Sequence, residues 1–289
     1  MPTRDQWIAG ARPKTLPAAV APVLVGTAFA GYNAQSLNFI LALLVALGLQ
    51  IGVNYANDFS DGIRGTDSDR VGPMRLVGSG AVSPELVKRA AFIAIAIAAF
   101  AGLILAARTS WFLLIIGAVA IIAAWTYTGG PKPYGYFALG EVSVFIFFGL
   151  VATLGTYYVQ VESLAVDVLL AACAIGSIAC AILVLNNLRD LERDSVANKR
   201  TLAVRIGDAN TRKFYLLLIS LPFLVSLILT FNSFYFLIPF LALPQVIRIA
   251  RELRAGAQGM ALVSLLERTG KVQIIYALSL SLATLLSAR

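Results

Sequence analysis

No histidine occurs anywhere in the sequence. Imidazole is therefore excluded as a general base, a haem ligand or a zinc ligand, which removes several common chemistries at once. Cysteine is nearly as scarce: Cys173 and Cys180 are the only two, seven positions apart in an apolar run. That spacing puts both on one helix face two turns apart, too far for a disulfide and in keeping with small core residues. Charge is sparse as well, at 13% of residues, where a soluble domain carries about a quarter. The short alternating segments of a membrane barrel are missing. Linkers and low-complexity tracts are missing too, so residues 1–289 read as a single domain.

What is present is a series of apolar runs close to the length that crosses a hydrocarbon core of roughly 30 Å. They cover about 16–32, 38–57, 89–107, 111–128, 138–159, 165–187, 214–231, 234–250 and 270–288. The expected fold is all-α and integral to a membrane, with nine transmembrane helices. Connections alternate between short, nearly uncharged turns and longer basic ones. Of the 23 Lys and Arg residues, all but Arg108 and Arg289 fall on the side of the long connections. This bias sets the N-terminus and the long loops in the cytoplasm, and it accounts for the net charge of +8 without nucleic acid. The first run carries Pro17 and Pro22 behind Arg12 and Lys14, and reads as an uncleaved signal-anchor rather than a cleaved leader.

Against this background, NYANDFSDGIRGTDSDR (54–70) and NNLRDLERD (186–194) stand out. Asn186, Asp190 and Asp194 form N-x-x-x-D-x-x-x-D at the end of the sixth run. Asn57 and Asp61 begin the same pattern at the end of the second, with Gly65 in the third place. The echo implies a duplicated helical unit facing itself across a central cavity. Residues three and four apart are neighbours on a helix, so Asn54, Asp58 and Asp61 share a face, with Asn57 beside Asp61. Two converging carboxylate stripes need a cation between them. Oxygen-only donors favour a hard ion, magnesium above all, which keeps waters and bridges to substrate phosphates. Arg64, Arg70, Lys132, Lys199 and Arg200 suit the phosphate oxygens, whereas Arg75, Lys88, Arg89, Arg212 and Lys213 read as solvated loop charges. Acid, base and metal at a lipid boundary point to a substrate with a diphosphate head and an apolar tail.

YTGGPKPYGYFALGE (127–141) joins the fourth and fifth runs. Gly129, Gly130, Pro131 and Pro133 specify a turn, and Lys132, flanked by Tyr127, Tyr134 and Tyr136, suits a cap over the diphosphate. Glu141 lies just inside the fifth run, where an unpaired carboxylate is expensive, and is expected to face the cavity.

NDFSD with Asp67, and DLERD followed by Lys199, Arg200 and Thr201, resemble the two aspartate-rich motifs of the UbiA superfamily of intramembrane aromatic prenyltransferases. ARPKTLPAAVAPVLVGTA (11–28), the 54–80 segment, the 127–141 segment and NNLRDLERDSVANKRTLAVRIG (186–207) resemble its MenA branch, the 1,4-dihydroxy-2-naphthoate polyprenyltransferases. The resemblance implies nine helices around a lipid-open cavity in the bacterial inner (cell) membrane, with the active site toward the cytoplasm. It implies magnesium on Asn57, Asp58, Asp61, Asp190 and Asp194, with Asp67, or more remotely Asp69, supplying the acid missing at Gly65. Asp58, Asp61, Asp190 and Asp194 are the catalytic acids on this reading. Arg12, Lys14, Asn54, Tyr127, Glu141, Asn186 and Asn187 are candidates for holding the acceptor or lining the cavity. The implied reaction joins a polyprenyl diphosphate to 1,4-dihydroxy-2-naphthoate with loss of carbon dioxide. Trp125, Tyr127, Phe145, Phe147 and Phe148 could face the allylic cation. Prenylation of 4-hydroxybenzoate is the nearest alternative. A cation-coupled transporter would want its acids near the bilayer midplane, and a CDP-alcohol phosphotransferase would want D-G-x-x-A-R, which Asp61-Gly62-Ile63-Arg64-Gly65 does not supply.

Overall fold

The structure, a computed structural model, describes residues 2–65 and 74–288. Its helices are α1 (Arg4–Ala11), α2 (Pro17–Ala30), α3 (Ser36–Ile63), α4 (Pro84–Arg108) and α5 (Leu113–Thr126). They continue with α6 (Gly140–Val144), a π-helical stretch (Phe145–Val151), α7 (Ala152–Val161), α8 (Val166–Arg189), α9 (Leu191–Val196), α10 (Leu202–Leu229), α11 (Leu243–Arg254) and α12 (Met260–Ser287). Local chemistry sets many of the ends. Thr3 and Gln6 form a capping box at α1, in which each side chain satisfies an amide that the first helical turn leaves without a partner. Pro84 opens α4 behind an extended Ser83, a position where proline's missing N–H costs nothing.

Each of the nine expected runs falls on a helix, but length sorts them. Seven helices among the described residues are long and apolar enough to cross a membrane, which makes this a multi-pass membrane protein. An eighth follows if 4–15 and 17–33, bent by 52°, count as one span. The remaining run is α5, whose 14 residues reach about 21 Å at the helical rise, short of the ~30 Å core. Length therefore supports seven or eight crossings rather than nine.

Packing divides these helices around a cavity. α8 is the central post: 78% of its most apolar window is buried, against 33% for α3 and 39% for α4. It packs on α10, α12 and the π-helical stretch, while α3 lies along α4 and α2 bridges to α7 and α12. At the π-helical stretch Gly149 meets Gly176 of α8 so closely that a Cβ at 149 would lie 2.6 Å from the Gly176 Cα. Small residues permit such approaches between membrane helices, and a π-turn re-aims the side chains around it; here Phe147 and Phe148 line the cavity. α5 forms a thin outer wall. It has no fully buried residue, turns Leu114, Gly117 and Ile121 to the cavity, and exposes Ile115, Val119 and Ile122.

Candidate active site

The cavity measures about 560 Å³ and gathers both acidic stretches at its polar end: Asn57 and Asp61 from α3, and Asn186, Asn187, Asp190 and Asp194 from α8 and α9 all line it. The rest of its wall is largely apolar. The first stretch is tied to the 127–137 connection. The Thr128 hydroxyl donates to Asn57 Oδ1 at 2.6 Å, and the Tyr136 phenol donates to Asp61 Oδ1 at 2.9 Å. The second carries its own cations. Asp190 accepts from Arg189 Nε at 2.8 Å and Nη2 at 2.6 Å, and from Arg193 Nη2 at 2.6 Å. Lys199 Nζ lies 3.5 Å from Asp194 and 5.3 Å from the centre of the Tyr136 ring. Tyr136 thus lies between Asp61 and the Lys199 that pairs with Asp194. Burial pushes the Tyr127 phenol up from its ordinary range, and the carboxylates of Glu141, Asp61 and Asp194 add to this, so Tyr127 stays a protonated donor on the cavity wall.

Several expected roles change. Asp58 does not line the cavity; it is 0% exposed, and its two oxygens accept the backbone N–H groups of Leu76 and Val77, each at 2.9 Å. A helical carboxylate that satisfies two loop amides fixes the loop, and it places the Asp58 oxygens apart from the cavity that Asp61 lines. Arg64 was expected at the diphosphate, but its guanidinium donates to the carbonyls of Thr128 and Gly130 and lies 5.6 Å from the Tyr136 ring centre. It ties the end of α3 to the turn that carries those carbonyls. Lys132 is exposed on that turn, away from the cavity, and Arg200 lines a separate shallow pocket with Ser195 and Arg205. Lys14 pairs with Glu267 of α12 at the surface. Glu141 is buried but stands behind the wall, its Oε1 accepting from Asn187 Nδ2 at 2.9 Å. Arg12, Asn54 and Tyr127 do line the cavity. Asp67, Asp69 and Arg70 lie outside the described residues.

The sequence reading also overlooked residues. Arg75, read as a solvated charge, is 7% exposed and lines the cavity; nothing local in sequence marks it. Arg193 lies one helical turn after Asp190, a spacing that could have flagged it. Arg212, also read as solvated, pairs with Asp208 and donates to the carbonyls of Leu253 and Ala257, tying α10 to the end of α11.

Among the described residues no group of three or more acids or cysteines converges as a metal cage. The donor set nonetheless fits magnesium, which is usually held by one or two carboxylates together with substrate phosphates rather than by an all-protein shell. Asn57, Asp61, Asp190 and Asp194 offer such oxygens around one cavity end, a carboxylate carrying about four lone-pair sites on its two oxygens.

The UbiA prenyltransferase family model matches residues 19–260. The chain belongs to that family. It is 46% identical over 278 residues to the 1,4-dihydroxy-2-naphthoate octaprenyltransferase of Mycobacterium tuberculosis, covering 96% of this chain and 95% of that one. It is 38% identical over 294 residues to the enzyme of the same name from Escherichia coli, covering 97% and 95%. These likenesses fall on the MenA branch that the sequence resembles. Among solved structures, an apo UbiA homolog from Aeropyrum pernix K1 superposes with a TM-score of 0.74 at 16% identity, covering 93% of this chain and 97% of the other. A UbiA homolog from Archaeoglobus fulgidus bound to GPP and Mg2+ gives 0.68 at 14%, covering 96% and 99%. At such identities the structural likeness speaks for the fold.

Proposed function

We propose that this UbiA-family prenyltransferase joins a polyprenyl group to 1,4-dihydroxy-2-naphthoate. The donor is a polyprenyl diphosphate, and diphosphate and carbon dioxide are lost, giving the quinol form, which becomes demethylmenaquinone only on later oxidation. One observation carries the reading: oxygen donors of both repeated stretches, together with Arg75, Arg193 and Lys199, line one cavity whose remaining wall is largely apolar. A diphosphate head fits the first part and a prenyl tail the second. The names of the relatives supply the acceptor.

Asn57, Asp61, Asp190 and Asp194 would hold magnesium, with Asp67 a further candidate. Bound magnesium would offset negative charge building on the departing diphosphate. Lys199 and Arg193 add fixed positive charge at that end. Asp190 keeps Arg193 oriented, and Tyr136 holds Lys199 toward the leaving group. The apolar wall excludes water that would capture an allylic cation, and the Phe147 and Phe148 rings can stabilise that carbon. The C2 carbon of the naphthoate ring forms the new bond to the allylic carbon as the carbon–oxygen bond to diphosphate breaks. The carboxylate then leaves as carbon dioxide, and its bonding electrons restore the aromatic ring. The thin, outward-apolar α5 suits a cavity that admits long tails from lipid. The charge bias of the connections favours a cytoplasmic active site in a bacterial inner membrane.

The test offers 1,4-dihydroxy-2-naphthoate and 4-hydroxybenzoate separately to purified protein with a polyprenyl diphosphate and magnesium. A decarboxylated prenyl naphthol, lost on adding EDTA and restored by excess magnesium, is expected. Product from hydroxybenzoate alone would move the acceptor assignment, and product unaffected by EDTA would remove the metal.

A further inference from the structure

Thr15 lies at the bend between α1 and α2, and its hydroxyl is fully engaged. It donates to the Arg12 carbonyl at 2.9 Å and accepts from Gln50 Nε2 at 2.9 Å and Asn54 Nδ2 at 3.1 Å. The Asn54 amide also donates to the Ala11 carbonyl at 2.9 Å. After these bonds, two buried polar atoms of cavity-lining residues around Thr15 lack a hydrogen-bond partner: Arg12 Nη2 and Gln50 Oε1. Gln50 is 6% exposed. Buried polar atoms in native proteins are rarely left in this condition, and each instance calls for a ligand, an ion or a role. The backbone at Arg12 is left-handed, with φ of 53° and ψ of 68°, because it ends α1 as its C-cap, its N–H donating to the Ala9 carbonyl.

The two leftover atoms are complementary in kind. Arg12 Nη2 is a charged donor and Gln50 Oε1 a neutral acceptor, on two residues that line the same cavity. The partner that satisfies them together presents an anionic oxygen beside a hydroxyl. We infer that Arg12 and Gln50 hold the carboxylate and the adjacent ring hydroxyl of an aromatic ortho-hydroxy acid. This rests on the proposed function and names the edge by which its acceptor is held. The placement suits the reaction: Asn54 and Gln50 precede Asp61 on α3 by seven and eleven residues, roughly 10 and 16 Å at the helical rise. The acceptor ring then sits deeper than the diphosphate, with room for the reacting carbon between them. The same edge discriminates among acids. In 1,4-dihydroxy-2-naphthoate a hydroxyl flanks the carboxylate, whereas in 4-hydroxybenzoate the hydroxyl is on the far side of the ring and leaves Gln50 unanswered.

Steady-state prenyl transfer by the full chain in detergent tests this, with each substrate varied in turn and 4-hydroxy-2-naphthoate, which lacks the flanking hydroxyl, as competitive inhibitor. Arg12→Lys breaks the planar donor set and is expected to raise the naphthoate KM and the inhibitor Ki together, by about 10- to 100-fold. Gln50→Leu is expected to raise the naphthoate KM about tenfold and leave the Ki of the hydroxyl-less inhibitor nearly unmoved. The KM for prenyl diphosphate should stay within about twofold in both variants, which also shows that they are folded. A rise in the prenyl diphosphate KM instead would reassign Arg12 to the diphosphate and overturn the inference. So would an unchanged naphthoate KM in both variants, or a Gln50→Leu effect equal for naphthoate and inhibitor. If the wild-type chain makes no product from the naphthoate, the proposed function itself fails, a result distinct from active wild type with indifferent variants.

Discussion

The two acidic stretches have nearly the same spacing and very different surroundings. Asn57, Asp58, Asp61 and Gly65 correspond to Asn186, Asn187, Asp190 and Asp194. The second copy draws counter-charges from its own vicinity: Arg189, Arg193 and Lys199 all lie within a few residues of the acids they pair with. The first copy is met by distant segments, with Thr128 and Tyr136 reaching Asn57 and Asp61, and the Leu76 and Val77 amides closing on Asp58. The second position of each copy runs the other way. Asp58 accepts from the loop that follows α3, whereas Asn187 donates to Glu141 on α6, farther off in sequence. A repeat fixes which side chains point the same way; what neutralises them depends on which segments fold back over each copy.

The largest expected effect comes from Asp190 against Asp61. Replacing either by alanine should lower prenyl transfer by more than about 100-fold, because each removes an oxygen that would hold magnesium at the leaving-group end. Only Asp190→Ala should also unfold easily. It deprives two arginines of a carboxylate, and the Arg189 side chain is only 3% exposed; breaking a buried pair this way costs about 3–5 kcal/mol. Thermal melting in detergent micelles separates the two effects, and equal melting losses would erase the contrast between the copies.

Next come Asp58 and Asn187. Asp58→Ala leaves two buried amides without an acceptor, each worth about 1–3 kcal/mol, and should lower the melting temperature more than Asn187→Ala, which removes one donor from Glu141. The activity that survives per folded molecule should remain substantial for Asp58→Ala. A variant that melts normally yet is inactive would return Asp58 to the chemistry and undo its assignment as a loop anchor.

Lys199→Ala should act more gently. Its side chain is 20% exposed, so the ion pair with Asp194 adds at most about 1 kcal/mol to stability. The loss should instead appear as a KM for prenyl diphosphate raised about tenfold, an amount that one charge-assisted phosphate contact accounts for. A change confined to the naphthoate KM would place Lys199 at the other substrate.

Much of this was legible in the sequence because periodicity reports direction. The apolar runs give helices at every expected place, and the repeated N-x-x-x-D pattern correctly brings Asn57, Asp61, Asn186, Asp190 and Asp194 to one cavity. Periodicity does not report depth or partners. α5 is as apolar as its neighbours but stops short of a full crossing. Asp58 and Asp61 are three apart, yet their side chains serve a loop and a cavity, because Leu76 and Val77 arrive from beyond the end of α3. Arg75 enters the cavity from that same loop, and its short-range sequence resembles any basic connection. Lys132 has the right charge, but its turn carries it outward while Arg64 takes the turn's carbonyls.

The smallest expected effect tests a side chain that lies between the two copies. Tyr136→Phe deletes the phenol that donates to Asp61 but keeps the ring beside Arg64 and Lys199. Losing one such hydrogen bond costs about 1 kcal/mol, or roughly a fivefold fall in kcat/KM, with melting almost unchanged. Tyr136→Leu also removes the ring face from two cations, each contact worth about 0.5–1 kcal/mol at an accessible site, and should fall a further severalfold while raising the KM for prenyl diphosphate. The difference between the two variants measures what the ring does for Lys199, separately from what the phenol does for Asp61. In a Lys199→Ala background that difference should shrink, since only Arg64 then remains above the ring. If it stays the same, Tyr136 acts on the first copy alone, and the two stretches work without the bridge its position suggests.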